Sequence, residues 1–422
     1  MRILYVCDKL ITFILNEIIE LEKMDNDVYI LAARNDGWVL SHVIKPILIN
    51  NDLSNKTFHR VRSYKNRKEK FLYLIGKLTY DFYMHPVMTI RACVNMLRIY
   101  SNLKIGTEDY LDVRRLFGLR FDVIHSPFST PQIMDKVYFL SKLFNTPFTL
   151  SFRAHDIYQD NILGEIKERI NIIQEASRII TISNYNRLYL KNILGIGRDI
   201  EVVHGSINVD FFRPKEERKS KRSIISVCRI DEQKGLIYLI KACQLLNERK
   251  INYECTIIGE GLEKRKLEKL INELQIPNIN FINYLPQDEI REYLNRSAVF
   301  VLPCVIASDG TRDILANALK EAMAMQLPVI TSNICGIEEL VDDGINGILV
   351  PPEDPESIAE AIEKIFTHPD LIEKMGMEGR KTIEKDFNVK NEMKKLDSIL
   401  RRTANRCGVH EPYGCHPSTA QD

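Results

Sequence analysis

The chain has 422 residues, of which 45% are hydrophobic and 27% charged, enough for two domains of ordinary size. A formal net charge of +1 leaves no excess of base to offset a phosphate backbone, which argues against a nucleic-acid binder. No uninterrupted apolar run approaches the length of a membrane-spanning helix.

The N-terminus, MRILYVCDKL, enters a strand at once and lacks the charged, apolar and small-residue order of a signal peptide. The 9 Cys are scattered, most of them inside apolar runs, as expected of buried free thiols in a reducing compartment. These features predict a cytoplasmic protein, soluble or peripherally attached at the inner face of the membrane.

Short apolar runs then alternate with helical patterns. Residues 3–6 are followed by an amphipathic stretch over 10–24 and a run at 28–32, with later runs at 122–125, 148–152 and 178–182. The second half repeats the scheme: strands are predicted at 223–228, 253–258, 278–282, 299–302 and 328–331, with helices over 235–248, 263–274 and 287–295. Runs of this length, rich in Ile and Val, read as strands buried on both faces of a parallel sheet. The fold class expected is α/β, with two Rossmann-like doubly wound domains (1–212 and 223–388) facing a cleft at the carboxyl ends of their strands.

The charged run KEERKSKR at 215–222 places an interdomain linker at 213–222. A final amphipathic helix is predicted at 389–402, and the polar tail 403–422 reads as flexible. Its Cys407, His410, Cys415 and His416 match no standard zinc spacing, so no metal is expected. The triplet Asp25-Asn26-Asp27 lies between the first helix and the second strand and reads as a surface turn. Residues 56–120 interrupt the alternation. They are helical in period, basic and interleaved with Tyr, Phe and Met, which suits either an anionic membrane surface or helices packed on the first domain.

The chemistry concentrates in residues 309–347. Asp313 lies before a short predicted helix and Glu321 within it, with Asn317 as candidate N-cap. A helix start favours a phosphate, which the two acids could flank. The helix is followed by a buried strand over 327–331, a second turn-and-helix and a glycine-bounded turn. Arg229 and Lys234 follow the run 223–228, with Gly235 opening a helix; a fixed fork and a mobile point charge suit a diphosphate. Gly259 and Gly261 follow the run 253–258 and would let backbone approach a ligand. His155 and Asp156 follow the run 148–152 and would face the cleft, and Gly205 follows a strand just before the linker.

These motifs, in order and spacing, resemble family 4 of the retaining glycosyltransferases (GT-B fold), densely over about 220–365 and more sparsely in the N-terminal half. The segments TFILNEI, DVIHSPF, AHDIY, TISNYNR, VVHGSINVDFFRP and RDILANALKEAMA are most similar to the branch that builds exopolysaccharides such as colanic acid. The resemblance implies a hexosyltransferase that needs no metal or other cofactor. Its donor would be a nucleoside diphosphate sugar and its acceptor a saccharide or lipid-linked saccharide.

By the same resemblance, Glu321 would bind the ribose and Asp313 the donor sugar. Arg229 and Lys234 would hold the diphosphate and His155 would contact the sugar. The backbone of Ile314, Leu315 and Ala316 would lie near sugar and phosphates, and the last helix would return to the first domain. The sequence departs from the pattern at Asp313 (for Glu), at Ile314 and Ala316 (for Gly and Pro) and at Cys228 (for Gly). Near the N-terminus, Asp8, Lys9, Leu10, Ile11 and Thr12 replace the usual Gly-rich or Ser-containing loop. The rival expectation from these departures is a non-catalytic nucleotide-sugar-binding subunit of an assembly complex.

Overall fold

Two parallel sheets carry the chain, and each has the strand order of a doubly wound domain. The computed structural model describes residues 1–32, 44–59, 67–99, 107–154, 157–215 and 222–406. His155, Asp156, most of the linker run and the Cys/His tail fall outside the described residues, as do 60–66 and 100–106 of the insertion.

The first sheet contains β1 (Arg2–Cys7), β2 (Asp27–Ala32), β3 (Thr57–His59), β4 (Val123–Ser126), β5 (Phe148–Phe152), β6 (Arg178–Thr181) and β7 (Ile200–Val202). Their order is β3-β2-β1-β4-β5-β6-β7. Pairing is parallel from β3 through β5; Tyr5, for example, stands opposite Ile30 on one side and His125 on the other. The second sheet contains β8 (Ser223–Val227), β9 (Glu254–Ile258), β10 (Ile279–Ile282), β11 (Val299–Leu302), β12 (Val329–Ser332) and β13 (Gly347–Val350). It is parallel throughout in the order β10-β9-β8-β11-β12-β13.

In both sheets the chain moves outward from a central strand and then resumes on that strand's other side. The reversal falls between β1 and β4 and between β8 and β11, and ligands of such sheets bind at the carboxyl ends of the strands at that point. The central strands are the most deeply buried: all of β11 is covered, and Ile224, Ile225 and Val227 of β8 face the interior. Leu239, Ile240 and Cys243 of the helix Leu236–Glu248 pack with Ile358 and Ile362 of the helix Pro355–Thr367 against this sheet.

The chain divides by density of contacts into two units. One is Met1–Ser151 with Arg169–Ile180 and the chain from Lys394; the other is Phe152–Glu168 with Thr181–Met393. The last helix, Val389–Arg406, reaches the first unit: Asn26 donates to Asp397 at 2.8 Å, and Arg401 to the Met24 carbonyl at 3.0 Å. Asn26 is buried, so the triplet at 25–27 is only partly a surface turn, and Asp27 pairs with Lys56 at 2.8 Å.

The strand expected before Gly205 is β7, whereas β3 and β13 were not anticipated. These two sit at sheet edges and hold only three or four residues each, partly exposed, so no continuous apolar run marks them. Where the sequence predicts a second helix after residue 331, the chain makes turns and one 3-10 turn, Ile337–Glu339, before β13. The glycine-bounded turn is present, with Gly344 N donating to the Gly347 carbonyl at 2.8 Å, and β13 starts at its closing glycine.

The insertion forms the helices Arg67–Met84, Pro86–Ile99 and Thr107–Val113. Its inner side is fixed by Asp81, buried, which accepts from Arg114 Nε and Nη2 at 2.6 Å each and from the Tyr110 hydroxyl at 2.8 Å. The expectation of helices packed on the first unit therefore holds for one face.

Candidate functional site

The loop leaving β8 turns through Cys228, Arg229, Ile230 and Asp231 into a 3-10 turn, Glu232–Lys234. Gly235 ends that turn at φ +63°, where a Cβ would meet the Pro303 carbonyl oxygen at 1.9 Å. Only glycine fits there, and the close approach holds Lys234 beside the loop leaving β11. Val305 N donates to the Gln233 carbonyl at 3.0 Å across the same seam. Lys234 is thereby directed at Asp313, 79 residues on, and its ammonium bonds the Asp313 Oδ2 atom. The Cys304 thiol donates to the same oxygen at 3.6 Å. Burial alone would press the Lys234 ammonium toward neutrality, but the charge of Asp313 overrides it and holds the group above its ordinary value of 10.5.

Arg229 differs from Lys234 in exposure. Its Nε bonds Asp231, but its side chain is 68% exposed and the guanidinium has no other partner among the described residues. Burial raises the thiol of Cys228, which stands where the related pattern has Gly, to about 12 and so disfavours the reactive thiolate.

The 303–316 loop is closed on itself and on its neighbours. Ala307 N donates to Thr311 O and Thr311 N to Asp309 Oδ1, both at 2.9 Å. Ser308 donates to Glu232 through its amide at 3.0 Å and its hydroxyl at 2.9 Å. Gln159 donates to Thr311 Oγ1 at 3.1 Å, and the Arg312 guanidinium lies 4.7 Å over the Tyr158 ring. Ile314 and Leu315 are buried, and Leu315 adopts φ +49°, a left-handed conformation that leucine rarely takes.

The helix Asn317–Ala324 follows. Its N-cap is Ala316, not Asn317, and no side chain caps it. A methyl group cannot accept from the first-turn amides, so the positive end of the helix stays open. Within this helix Lys320 is buried, and its ammonium bonds the Gly205 carbonyl oxygen. Glu321 is half-buried, and among the described residues its carboxylate has no hydrogen-bond or ion-pair partner. Burial raises its carboxyl to about 7, against the opposing pull of Lys320.

The glycines after β9 bring main chain against main chain. A Cβ on Gly259 would meet the Cys228 carbonyl oxygen at 1.9 Å, and one on Gly261 the Ile230 carbonyl oxygen at 2.2 Å. Cys228 N and Ile230 N donate to Ile258 O (3.1 Å) and Glu260 O (2.8 Å). The two loops thus lie backbone to backbone at both glycines.

The second unit therefore carries Arg229, Lys234, Gly259, Gly261, Asp313, Ile314, Leu315, Ala316 and Glu321 on the segments that follow β8, β9 and β11. His155 and Asp156 lie outside the described residues. Cys304, Arg312 and Lys320 escaped the sequence reading. A lysine beside Glu321, flanked by Leu319, Ala322 and Met323, was the available signal for the last of them.

Two parallel sheets with this order, one with cations and an open helix end at its reversal point, define the GT-B class of glycosyltransferase fold. Solved structures agree at low identity: a Rickettsia africae glycosyltransferase has TM-score 0.66 and 19% identity, covering 95% of this chain and 98% of that one. Anabaena HepE, solved with UDP and glucose, has TM-score 0.67 and 15% identity over 95% and 100%. Within the fold, residues 208–382 match the family described as "Glycosyl transferases group 1". Curated relatives include the amylovoran biosynthesis glycosyltransferase AmsK of Erwinia amylovora, 30% identical over 60% of this chain and 63% of that protein. The putative colanic acid biosynthesis glycosyltransferase WcaL of Escherichia coli K12 is 33% identical over 45% of this chain and 47% of that one. The chain thus spans less than two thirds of the length of these relatives.

Proposed function

We propose that this protein is a retaining, metal-independent hexosyltransferase of family 4. It would transfer a hexose from a nucleoside diphosphate sugar to a saccharide or lipid-linked saccharide during cell-surface polysaccharide synthesis, at the cytoplasmic face of the membrane. The observation that carries the reading is the ion pair between Lys234 and Asp313 at the reversal point of the second sheet, beside an uncapped helix N-terminus.

In this reading the domain from 223 onward binds the donor and the N-terminal domain the acceptor. Arg229, exposed and singly paired, and Lys234 neutralise the diphosphate as the bond to the anomeric carbon breaks. The acceptor hydroxyl attacks on the face the diphosphate leaves, and its proton passes to the departing phosphate. Asp313, with the backbone of Ile314, Leu315 and Ala316, orients the sugar, and the unpartnered Glu321 accepts ribose hydroxyls. His155 and Asp156 complete the sugar contacts.

The test is turnover with a panel of nucleoside diphosphate sugars, selected first by the thermal shift each nucleotide produces. Replacing both Arg229 and Lys234 by Ala should lower turnover by about 100-fold or more, the scale of losing a preorganised charge stabiliser. Unchanged turnover would sink the assignment. The left-handed Leu315 in a loop bearing Ile314 and Ala316 favours a second reading, a non-catalytic nucleotide-sugar-binding subunit. Nucleotide-induced shifts without hydrolysis or transfer would select it.

A further inference from the structure

The apolar side chains left uncovered by this fold are concentrated on one helical pair. Phe71, Leu72, Tyr80, Phe82 and Tyr83 of the helix Arg67–Met84 and Val87 of the helix Pro86–Ile99 are each more than half exposed, and Tyr83 reaches 85%. Along the first helix Leu72, Ile75, Thr79 and Tyr83 recur at helical spacing, and along the second Val87, Ile90 and Val94 do the same. Thus each helix presents a stripe, not an isolated residue.

The opposite side is firmly held. Asp81 is buried in its pair with Arg114, Thr89 and Ala92 are buried, and Arg91 donates to the Leu143 carbonyl at 3.1 Å. The exposed face is therefore a fixed surface of the folded unit. A contiguous apolar face of this kind marks an interaction site.

Charge selects the occupant. Lys70 is paired with Glu108 at 2.7 Å, Arg91 turns inward to the Leu143 carbonyl and Asp81 is spent in its buried pair with Arg114, which leaves Lys68 and Lys77 as the cations of this face. Lys68 is exposed, with no partner among the described residues, and Lys77 lies 5.4 Å over the Tyr73 ring. Apolar stripes, tyrosines and lysines on one surface suit the boundary between acyl chains and anionic headgroups. No described helix is long and apolar enough to cross a membrane. The pair would lie in the plane of the surface.

We propose that the exposed face of the helices Arg67–Met84 and Pro86–Ile99 docks on an anionic bilayer leaflet. Phe71, Leu72, Tyr83 and Val87 enter the acyl boundary, and Lys68 and Lys77 lie at the phosphate level. This gives the lipid-linked-acceptor reading its membrane surface and rests on that reading only for its purpose, because docking is measured with neither donor nor acceptor present.

The full chain is mixed with phosphatidylcholine vesicles, with or without phosphatidylglycerol, and sedimented. It should pellet with the anionic vesicles and bind at least about tenfold more weakly to neutral vesicles or at high salt. The exposed-site variant Leu72→Asp/Tyr83→Asp should stay in the supernatant while its thermal shift with nucleoside diphosphates is unchanged. Lys68→Glu/Lys77→Glu should lose the preference for anionic lipid. Failure of the unaltered chain to pellet with either vesicle overturns the proposal. A dimer in solution that Leu72→Asp/Tyr83→Asp converts to monomer also overturns it, by assigning the face to a second copy. Loss of the nucleotide shift with pelleting intact would count against the donor-site reading and leave the docking surface standing.

Discussion

The ammonium of Lys234 and the carboxylate of Asp313 meet across the reversal point of the second sheet, one from the segment after β8 and the other from the loop after β11. Both side chains are largely shielded, at 14% and 24% exposure. Removing one partner should leave a poorly solvated charge. Asp313→Asn or Lys234→Met alone should each cost about 1–3 kcal/mol in urea unfolding, and the double variant less than their sum. Strict additivity would show that the pair is not coupled. A bound nucleoside diphosphate should recover part of the loss in Asp313→Asn, because it offers Lys234 a new anion.

Glu321 predicts a pH dependence. Burial raises its carboxyl from an ordinary 4.5 to about 7. A carboxyl whose folded value lies above its unfolded one favours the protonated fold. The stability it contributes is therefore complete below about pH 4.5 and is lost as pH rises through 7. Glu321→Gln should match the unaltered protein below pH 4.5 and exceed it at pH 8 by on the order of 1–3 kcal/mol in thermal or denaturant unfolding. A difference that does not change with pH would refute this.

Gly259→Ala would drive a methyl group into the Cys228 carbonyl at a φ of +146°. We expect a loss of about 3 kcal/mol or more by denaturant titration, with nucleotide binding impaired because Arg229 is displaced along with its loop. Gly164→Ala is the control. It lies in the helix Asp160–Lys167 with nothing within 4 Å, and should stabilise by about 0.5–1 kcal/mol.

Asp81→Ala removes the carboxylate that holds both Arg114 and Tyr110. An uncompensated guanidinium in a covered site should cost about 3–5 kcal/mol. Amide exchange in the helices Arg67–Met84 and Pro86–Ile99 should accelerate more than exchange in β11, because the second sheet has its own core.

The fold was legible where strands are buried on both faces, since continuous runs such as 299–302 and 223–228 carry their own signal. Edge strands at Thr57–His59 and Gly347–Val350 were not, because short, partly exposed segments need neither alternation nor a long apolar run. Within the site, residue types announced the charges at Arg229, Lys234, Asp313 and Glu321, but nothing local tells Lys234 that its partner is 79 positions away. The left-handed backbone at Leu315 was equally hidden, because the tertiary fit of a buried side chain overrides the preference that glycine would have advertised. Asn317 had the better capping chemistry, yet the helix begins at that residue and leaves the cap to Ala316.

If the proposed donor site is right, the glycine contacts also bear on how its donor choice could change. The segments after β8, β9 and β11 touch through main-chain atoms at Gly235, Gly259 and Gly261, with no side chain between them to be trimmed. A rim assembled in this way has no slack for insertion or deletion, because lengthening one loop displaces two others. Diversification of the sugar or nucleotide is then confined to exchanges of side chains on a fixed main chain. A library meant to redirect this protein should randomise positions such as 229, 312 and 314 and leave every loop at its present length.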